Sequence, residues 1–153
     1  MLADWGSGLY GAPVSAISIA AGGPWDLLVH LGDVYYSGTV GETRQRFSDL
    51  WPGASATVSR GLNGNHEMYT GGYAYFDQTL PAFGQGSSYF AMANDDWLLV
   101  FLDTAYVDHD IDPEQLGWVN SVVGASVSGE FCSSHTTSCS LASTRRVRDL
   151  RPH

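Results

Sequence analysis

The chain has 153 residues, 44% of them apolar and 15% charged, with a net charge of −9, which suits one folded domain with a core and not a disordered segment. No apolar run approaches the roughly 20 residues that span a bilayer, and the N-terminus lacks the basic-then-apolar order of a leader, so no membrane partner is expected and the compartment is cytoplasmic by default. All seven basic residues are Arg; residues 1–129 hold three of them against fourteen acids, and residues 130–153 hold four against two. That body has no basic stripe to neutralise phosphates, so nucleic acid is not an expected partner.

The first polar feature is "ADWGSG" (3–8). Its Asp4 sits where a first strand should end, yet hardly any strand precedes it. "DLLVHLGD" (26–33) is a short apolar run ending in Gly-Asp, the pattern of a buried parallel strand. "GETRQRFSDLW" (41–51) is predicted helical, and "TVSRGLNGN" (57–65) a second strand that breaks into a loop. "GGYAYFDQTLPAF" (71–83) opens on glycines and stops at Pro81, predicting a short helix at most. "SSYFAMANDDWLLVFLDT" (87–104) predicts a hairpin around an Asn-Asp-Asp turn. "DPEQLGWVNSVVGA" (112–125) is the best-marked helix, with Asp112 as N-cap, Pro113 at the first position and Gln115 completing a capping box. Leu116, Val119 and Val123 are its expected buried face.

Strands alternating with helices, with Gly and Asp at strand ends, predict an α/β fold. Ligands in such sheets lie beyond the carboxyl ends of the strands, and Asp4, Asp33, Asn65 and Asp103 all fall at such ends. After about residue 129 the text changes. "SGEFCSSHTTSCSLASTRRVRDLRPH" has no period and is rich in Ser and Thr, so the expected organisation is a domain over 1–129 and an irregular tail over 130–153. Cys132 and Cys139 could form a disulfide or half a metal site; two unpaired thiols is the better reading.

Three blocks carry the chemistry: "ADWGSG", "HLGDVYY" (30–36) and "GNHE" (64–67). Carboxylates from two strand ends, an amide and a phenol are oxygen donors, and oxygen donors pooled in one crevice suit hard or borderline metals. A carboxylate can bridge two ions about 3.5–4 Å apart, the arrangement used for phosphoryl displacement. Taken singly, Asp33 equally fits a helix cap, Tyr36 a half-buried core aromatic and Asn65 a turn. The joint pattern favours a metal site. Elsewhere, His30 reads as a packed or supporting histidine, and Asp103 with Thr104 as a strand terminus near the site. Asp108, His109 and Asp110 read as a solvated acidic loop. Tyr73, Tyr75 and Phe76 fit either a substrate mouth or the core, and Glu67 fits a residue that supports its loop by accepting backbone hydrogen bonds.

In this order the three blocks resemble the calcineurin-like metallophosphoesterase superfamily, whose pattern runs D-x-H or D-x-G, then G-D-x-x, then G-N-H-D/E. Gly6 stands where many members carry a metal-binding His, and Tyr36 stands three residues after Asp33. That exchange is similar to the purple acid phosphatases of the small, tartrate-resistant type, over roughly residues 1–125.

The resemblance implies the N-terminal half of a four-layer αββα sandwich. It implies two metal ions, Fe(III) plus divalent Fe, Zn or Mn: Asp4 and Tyr36 on the first, Asp33 bridging, and Asn65 on the second through its carbonyl oxygen. His66 would face the phosphate as the catalytic residue and steady the transition state or protonate the leaving group, and the substrate would be a small phosphate ester, mono- or diester. The alternative is a non-catalytic domain of the same fold that binds at most one ion.

The family's two later His blocks are absent, and the chain reads as truncated at both ends. Read two bases out of step, codons for residues 129–139 can spell V-L-L-L-S-H-H-Q-L, the kind of strand the family has there, so a shifted reading frame is the expected cause. Sequencing the coding DNA across residues 120–145 tests it. Exposed strand edges would make such a product marginal and prone to aggregate, and poor in metal affinity, so impaired activity, with little or no turnover, is expected of this chain.

Overall fold

The run "LLVH" forms strand β1 (Leu27–His30) in the computed structural model, which describes residues 1–5, 11–54, 57–94, 96–107, 110–127 and 148–150. Leu28, Val29 and His30 are all buried, as expected of a parallel strand. Its partner is β2 (Val58–Gly61), parallel, in the register Leu27 to Val58 and His30 to Gly61. On the other edge of β1, Leu2 makes a single parallel bridge to His30. The Leu2 N–H donates to the Val29 carbonyl at 2.9 Å, and the Leu31 N–H donates to the Leu2 carbonyl at 2.8 Å. One residue is therefore the whole of the short first strand that the sequence suggested.

The structure is α/β, with a two-stranded sheet and a three-stranded sheet among the described residues. It divides into two units, Met1–Ser88 with Asp103–Asp110, and Tyr89–Leu102 with Ile111–His153. No helix of the described residues is long and apolar enough to cross a membrane.

In the first unit, α1 (Gly11–Gly22) places Ala12, Ala16 and Ile19 inward at helical spacing, while Val14 and Ile17 remain exposed. The Trp25 indole N–H closes its end by donating to the Ile19 carbonyl at 2.7 Å. The helix expected at 41–51 is a continuous helical stretch: α2 (Val40–Glu42), a π-helical turn at Thr43–Phe47 and a 3-10 turn at Ser48–Leu50. Thr39 and Glu42 form a reciprocal capping box at its start.

These helices enclose the core. Trp5, Ala12, Val34 and Phe47 are buried, with Trp51 and Phe83 packed against them. His30 joins this aromatic cluster, its ring 4.6 Å from Phe47. It is thus a packed histidine, and burial lowers its pKa to about 3.

β2 ends at Gly61 because side chains take over its backbone groups. The Gln85 amide accepts from the Gly61 N–H at 2.9 Å and donates to its carbonyl at 2.8 Å, and the Tyr75 hydroxyl donates to that same carbonyl at 2.8 Å. The chain then turns into α3 (Asn65–Met68). The helix expected at 71–83 is a π-helical segment at Tyr75–Thr79 followed by α4 (Leu80–Ala82), which includes Pro81 instead of ending before it. Tyr75 belongs to the core at 2% exposure, whereas Tyr73 is open to solvent.

In the second unit, β3 (Phe90–Ala93) and β4 (Leu98–Phe101) form the expected antiparallel hairpin, with the Phe90 and Phe101 rings stacked at 4.5 Å. Asn94 Oδ1 shapes the turn by accepting from the Asp96 and Trp97 N–H groups. Helix α5 (Pro113–Val127) starts where the sequence placed it, and the Gln115 N–H donates to Asp112 Oδ1 at 2.9 Å. Its buried face differs by one position from the expected one. Gln115 and Val122 are buried while Leu116 and Val123 are exposed, because the helix turns Trp118 onto Tyr89, with ring centres 4.9 Å apart. From the tail, only Arg148–Leu150 is described. It forms a strand, β5, antiparallel to β3. Cys132, Cys139 and His135, like Asp108 and His109, lie outside the described residues.

Candidate metal and phosphate site

The loop after β1 and the loop after β2 interlock through close backbone approach. A Cβ on Gly32, whose φ is +99°, would lie 2.7 Å from the Asn63 carbonyl and the Gly64 nitrogen. A Cβ on Gly64 would collide with the Asp33 carboxylate. Only glycine permits this contact at both places. Asp4 and Asp33 themselves adopt left-handed backbone, with φ of 51° and 69°, a conformation that Asp tolerates better than most residues.

Glu67 joins the two loops. Its carboxylate is 2% exposed and accepts from Gly64 N–H at 2.7 Å, Val34 N–H at 2.8 Å and Asp33 N–H at 3.1 Å. The expectation that it supports its loop is met, and its reach extends to the Gly-Asp loop as well. Burial raises its pKa, and the backbone N–H groups oppose that rise.

Asp33 and His66 are brought together directly, since the His66 N–H donates to Asp33 Oδ1 at 3.2 Å. Asp4 lies alongside: its N–H donates to the Gly32 carbonyl and the Trp5 N–H to the Asp33 carbonyl, both at 3.0 Å. Asn65 follows Gly64 on α3. Its Nδ2 donates to the Tyr69 hydroxyl at 2.8 Å, so its carbonyl oxygen is the atom left for a ligand. The His66 Nδ1 lies 2.5 Å from the Tyr36 carbonyl oxygen. A carbonyl only accepts, so Nδ1 carries the hydrogen and Nε2 is the nitrogen available for chemistry.

Tyr36 is placed differently from the other candidates. Its side chain is 62% exposed, with ring contact to Tyr35 at 6.0 Å. No hydrogen bond among the described residues brings its phenol to Asp4, Asp33 or Asn65. The phenol on Asp4 is that of Tyr35, whose hydroxyl donates to Asp4 Oδ1 at 2.5 Å. That hydrogen bond chiefly pushes the Tyr35 pKa up to about 12. Tyr35 and Tyr69 both flank the His66 ring, at 4.1 and 4.9 Å. Sequence reading passed over both tyrosines, although Tyr69 stands one helical turn after Asn65, a spacing that puts two side chains together.

Asp103 supports the site from below. It is 3% exposed and accepts from the Ala105 and Tyr106 N–H groups at 3.0 Å. The Asn63 amide, oriented with its NH2 toward the carboxylate, donates to Asp103 Oδ1 at 2.8 Å. Asp103 thereby holds the residue before Gly64.

The donor set suits a hard cation in kind: two carboxylates, an amide oxygen and a phenol. It is lean in number, because among the described residues no three His, Cys, Asp or Glu side chains converge. Protein-family models, curated proteins and solved structures were all compared with this chain, and none matches.

Proposed function

We propose that this chain is the N-terminal half of a four-layer αββα metallophosphoesterase sandwich, and that its crevice is a site for hydrolysis of small phosphate esters. The observation that carries this reading is the Glu67 carboxylate. By binding the backbone of Asp33, Val34 and Gly64, it sets a carboxylate, an amide and an imidazole from two strand ends into one rigid loop cluster. Rigid placement of few polar groups at strand ends is what a phosphoryl-transfer site requires.

In this reading Asp4 and Tyr36 would hold a first ion, Fe(III), Asp33 would be shared with a second, divalent Fe, Zn or Mn, and Asn65 would hold the second through its carbonyl oxygen. Bound ions supply Lewis-acid polarisation of the phosphoryl group and acidify the attacking water. The chain's own residues position that chemistry. Asp33 is fixed by the His66 N–H, and Asn65 by its bond to Tyr69. In its doubly protonated form His66 would give the Nε2 proton to the leaving oxygen as a general acid, and keep the Nδ1 hydrogen on the Tyr36 carbonyl.

The second reading is a non-catalytic domain that binds at most one ion, and the donor count favours it. Asp33 and Asn65 are the only assigned protein groups for the second ion. Nitrophenyl phosphate hydrolysis together with metal analysis separates the two. About two ions per chain and turnover abolished by Asp33→Asn support the enzyme. One ion or fewer without turnover supports the binding domain.

A further inference from the structure

We propose that Tyr35 is a positioning residue, which holds the Asp4 carboxylate and the His66 imidazole in one fixed arrangement and leaves the ligand role for a phenol to Tyr36. The purpose of the arrangement rests on the metal-site reading above; the arrangement itself does not.

The peptide unit between Tyr35 and Tyr36 is anchored at both of its polar groups. Arg46 donates to its carbonyl at 3.2 Å, and Glu42 accepts from the following N–H, that of Tyr36, at 3.0 Å. Arg46 and Glu42 are themselves paired at 3.1 Å. On that anchored backbone the Tyr35 side chain makes two contacts with the crevice. Its hydroxyl donates to Asp4 Oδ1, and its ring meets the His66 ring at 64° with centres 4.1 Å apart.

Asp4 has no other side-chain hydrogen bond among the described residues. The single donor from Tyr35 therefore orients one carboxylate oxygen and leaves Oδ2 to face an ion, the usual way a supporting group tunes a carboxylate ligand. Tyr36 has the opposite character. Among the described residues its exposed ring meets the Tyr35 ring and its phenol makes no hydrogen bond, which leaves that phenol for an ion. Two adjacent tyrosines thus divide the work, one orienting and one binding.

The test uses the full chain and three variants, Tyr35→Phe, Tyr35→Leu and Tyr36→Phe. In metal-free protein, NMR of the histidine side chains reads the ring contact. Tyr35→Leu is expected to move the His66 ring signals while Tyr35→Phe leaves them close to wild type. Chelator competition with Zn(II) reads the effect on Asp4, and Tyr35→Phe is expected to weaken binding about ten-fold. With Fe(III), the visible tyrosinate band should persist in Tyr35→Phe and vanish in Tyr36→Phe. Unmoved His66 signals in Tyr35→Leu, unchanged Zn(II) affinity in Tyr35→Phe, or loss of the iron band in Tyr35→Phe each overturn the proposal. Should wild type take up no ion, the metal-site reading fails, and the NMR comparison still decides whether Tyr35 positions His66.

Discussion

The Glu67 carboxylate accepts the Val34 backbone N–H at 2.8 Å, across a separation of 33 residues in the chain. Through this bond and its companions to Asp33 and Gly64, the loops after β1 and β2 become one structure. Replacing Glu67 with Ala takes the acceptor from three N–H groups, that of Val34 buried and those of Asp33 and Gly64 part-buried, and each unsatisfied buried group costs about 1–3 kcal/mol. Urea denaturation of Glu67→Ala is expected to show a loss of about 3 kcal/mol or more. A loss below about 1 kcal/mol would mean that the loops are held by something else.

Gly64→Ala tests the close approach itself. The added methyl meets the Asp33 carboxylate, so either Asp33 or the backbone must move. Overpacking of this kind costs about 1–3 kcal/mol, and the displaced Asp33 should weaken ion binding as well. Gly41→Ala is the control, because its Cβ would meet nothing within 4 Å. Equal behaviour of the two variants would contradict the interlocking of the loops.

Acid should destabilise the first unit through His30. Burial holds its pKa near 3, against 6.5 for the free side chain, so the folded histidine stays neutral where the unfolded one takes a proton. Its contribution is fully present above pH 6.5 and is lost as pH falls toward 3, at up to about 1.4 kcal/mol per pH unit. His30 Nε2 has no hydrogen-bond partner among the described residues, and His30→Phe removes both the orphaned nitrogen and the titration. Stability of His30→Phe followed from pH 7 to pH 4 should fall less steeply than wild type. Parallel curves would contradict this assignment.

Glu42 works on the same acid limb from the other side. Its pKa is lowered to about 2, first by the Tyr36 N–H and also by hydrogen bonds from Thr39 and Ser37. Because the folded value lies below the unfolded one, its stabilisation is present above about pH 4.5 and is lost as pH falls toward 2. Glu42→Gln should therefore lower stability at pH 7 and leave it nearly unchanged at pH 2, read by thermal melts at the two pH values.

Much of this was legible in the sequence because it is local. The β1 run, the β3–β4 hairpin and the Asp112 start of α5 each declare themselves within a dozen residues, by apolar pattern and turn chemistry. Helix α1 escaped notice because its inward residues are mostly alanines, while the more conspicuous Val14 and Ile17 face solvent. The buried face of α5 was misplaced because Leu116 and Val123 look like core, yet Trp118 sets the rotation by packing on Tyr89.

At the candidate site, the support from Glu67 and the approach of Asp33 to the loop of Asn65 and His66 were readable from strand-end position and motif order. Tyr35 was not. Its contacts with Asp4 and His66 span 31 residues in each direction of the chain, and side-chain direction on an irregular loop leaves no periodic trace.

The proposed metal site rests on the interlocked loops and on Asp33. Calorimetric titration of the full chain and of Asp33→Asn with Mn(II) or Zn(II) tests it most directly. Saturable binding by wild type and a weakening of about ten-fold or more in Asp33→Asn are expected. Equal binding by the two proteins, or no binding by wild type, would contradict it.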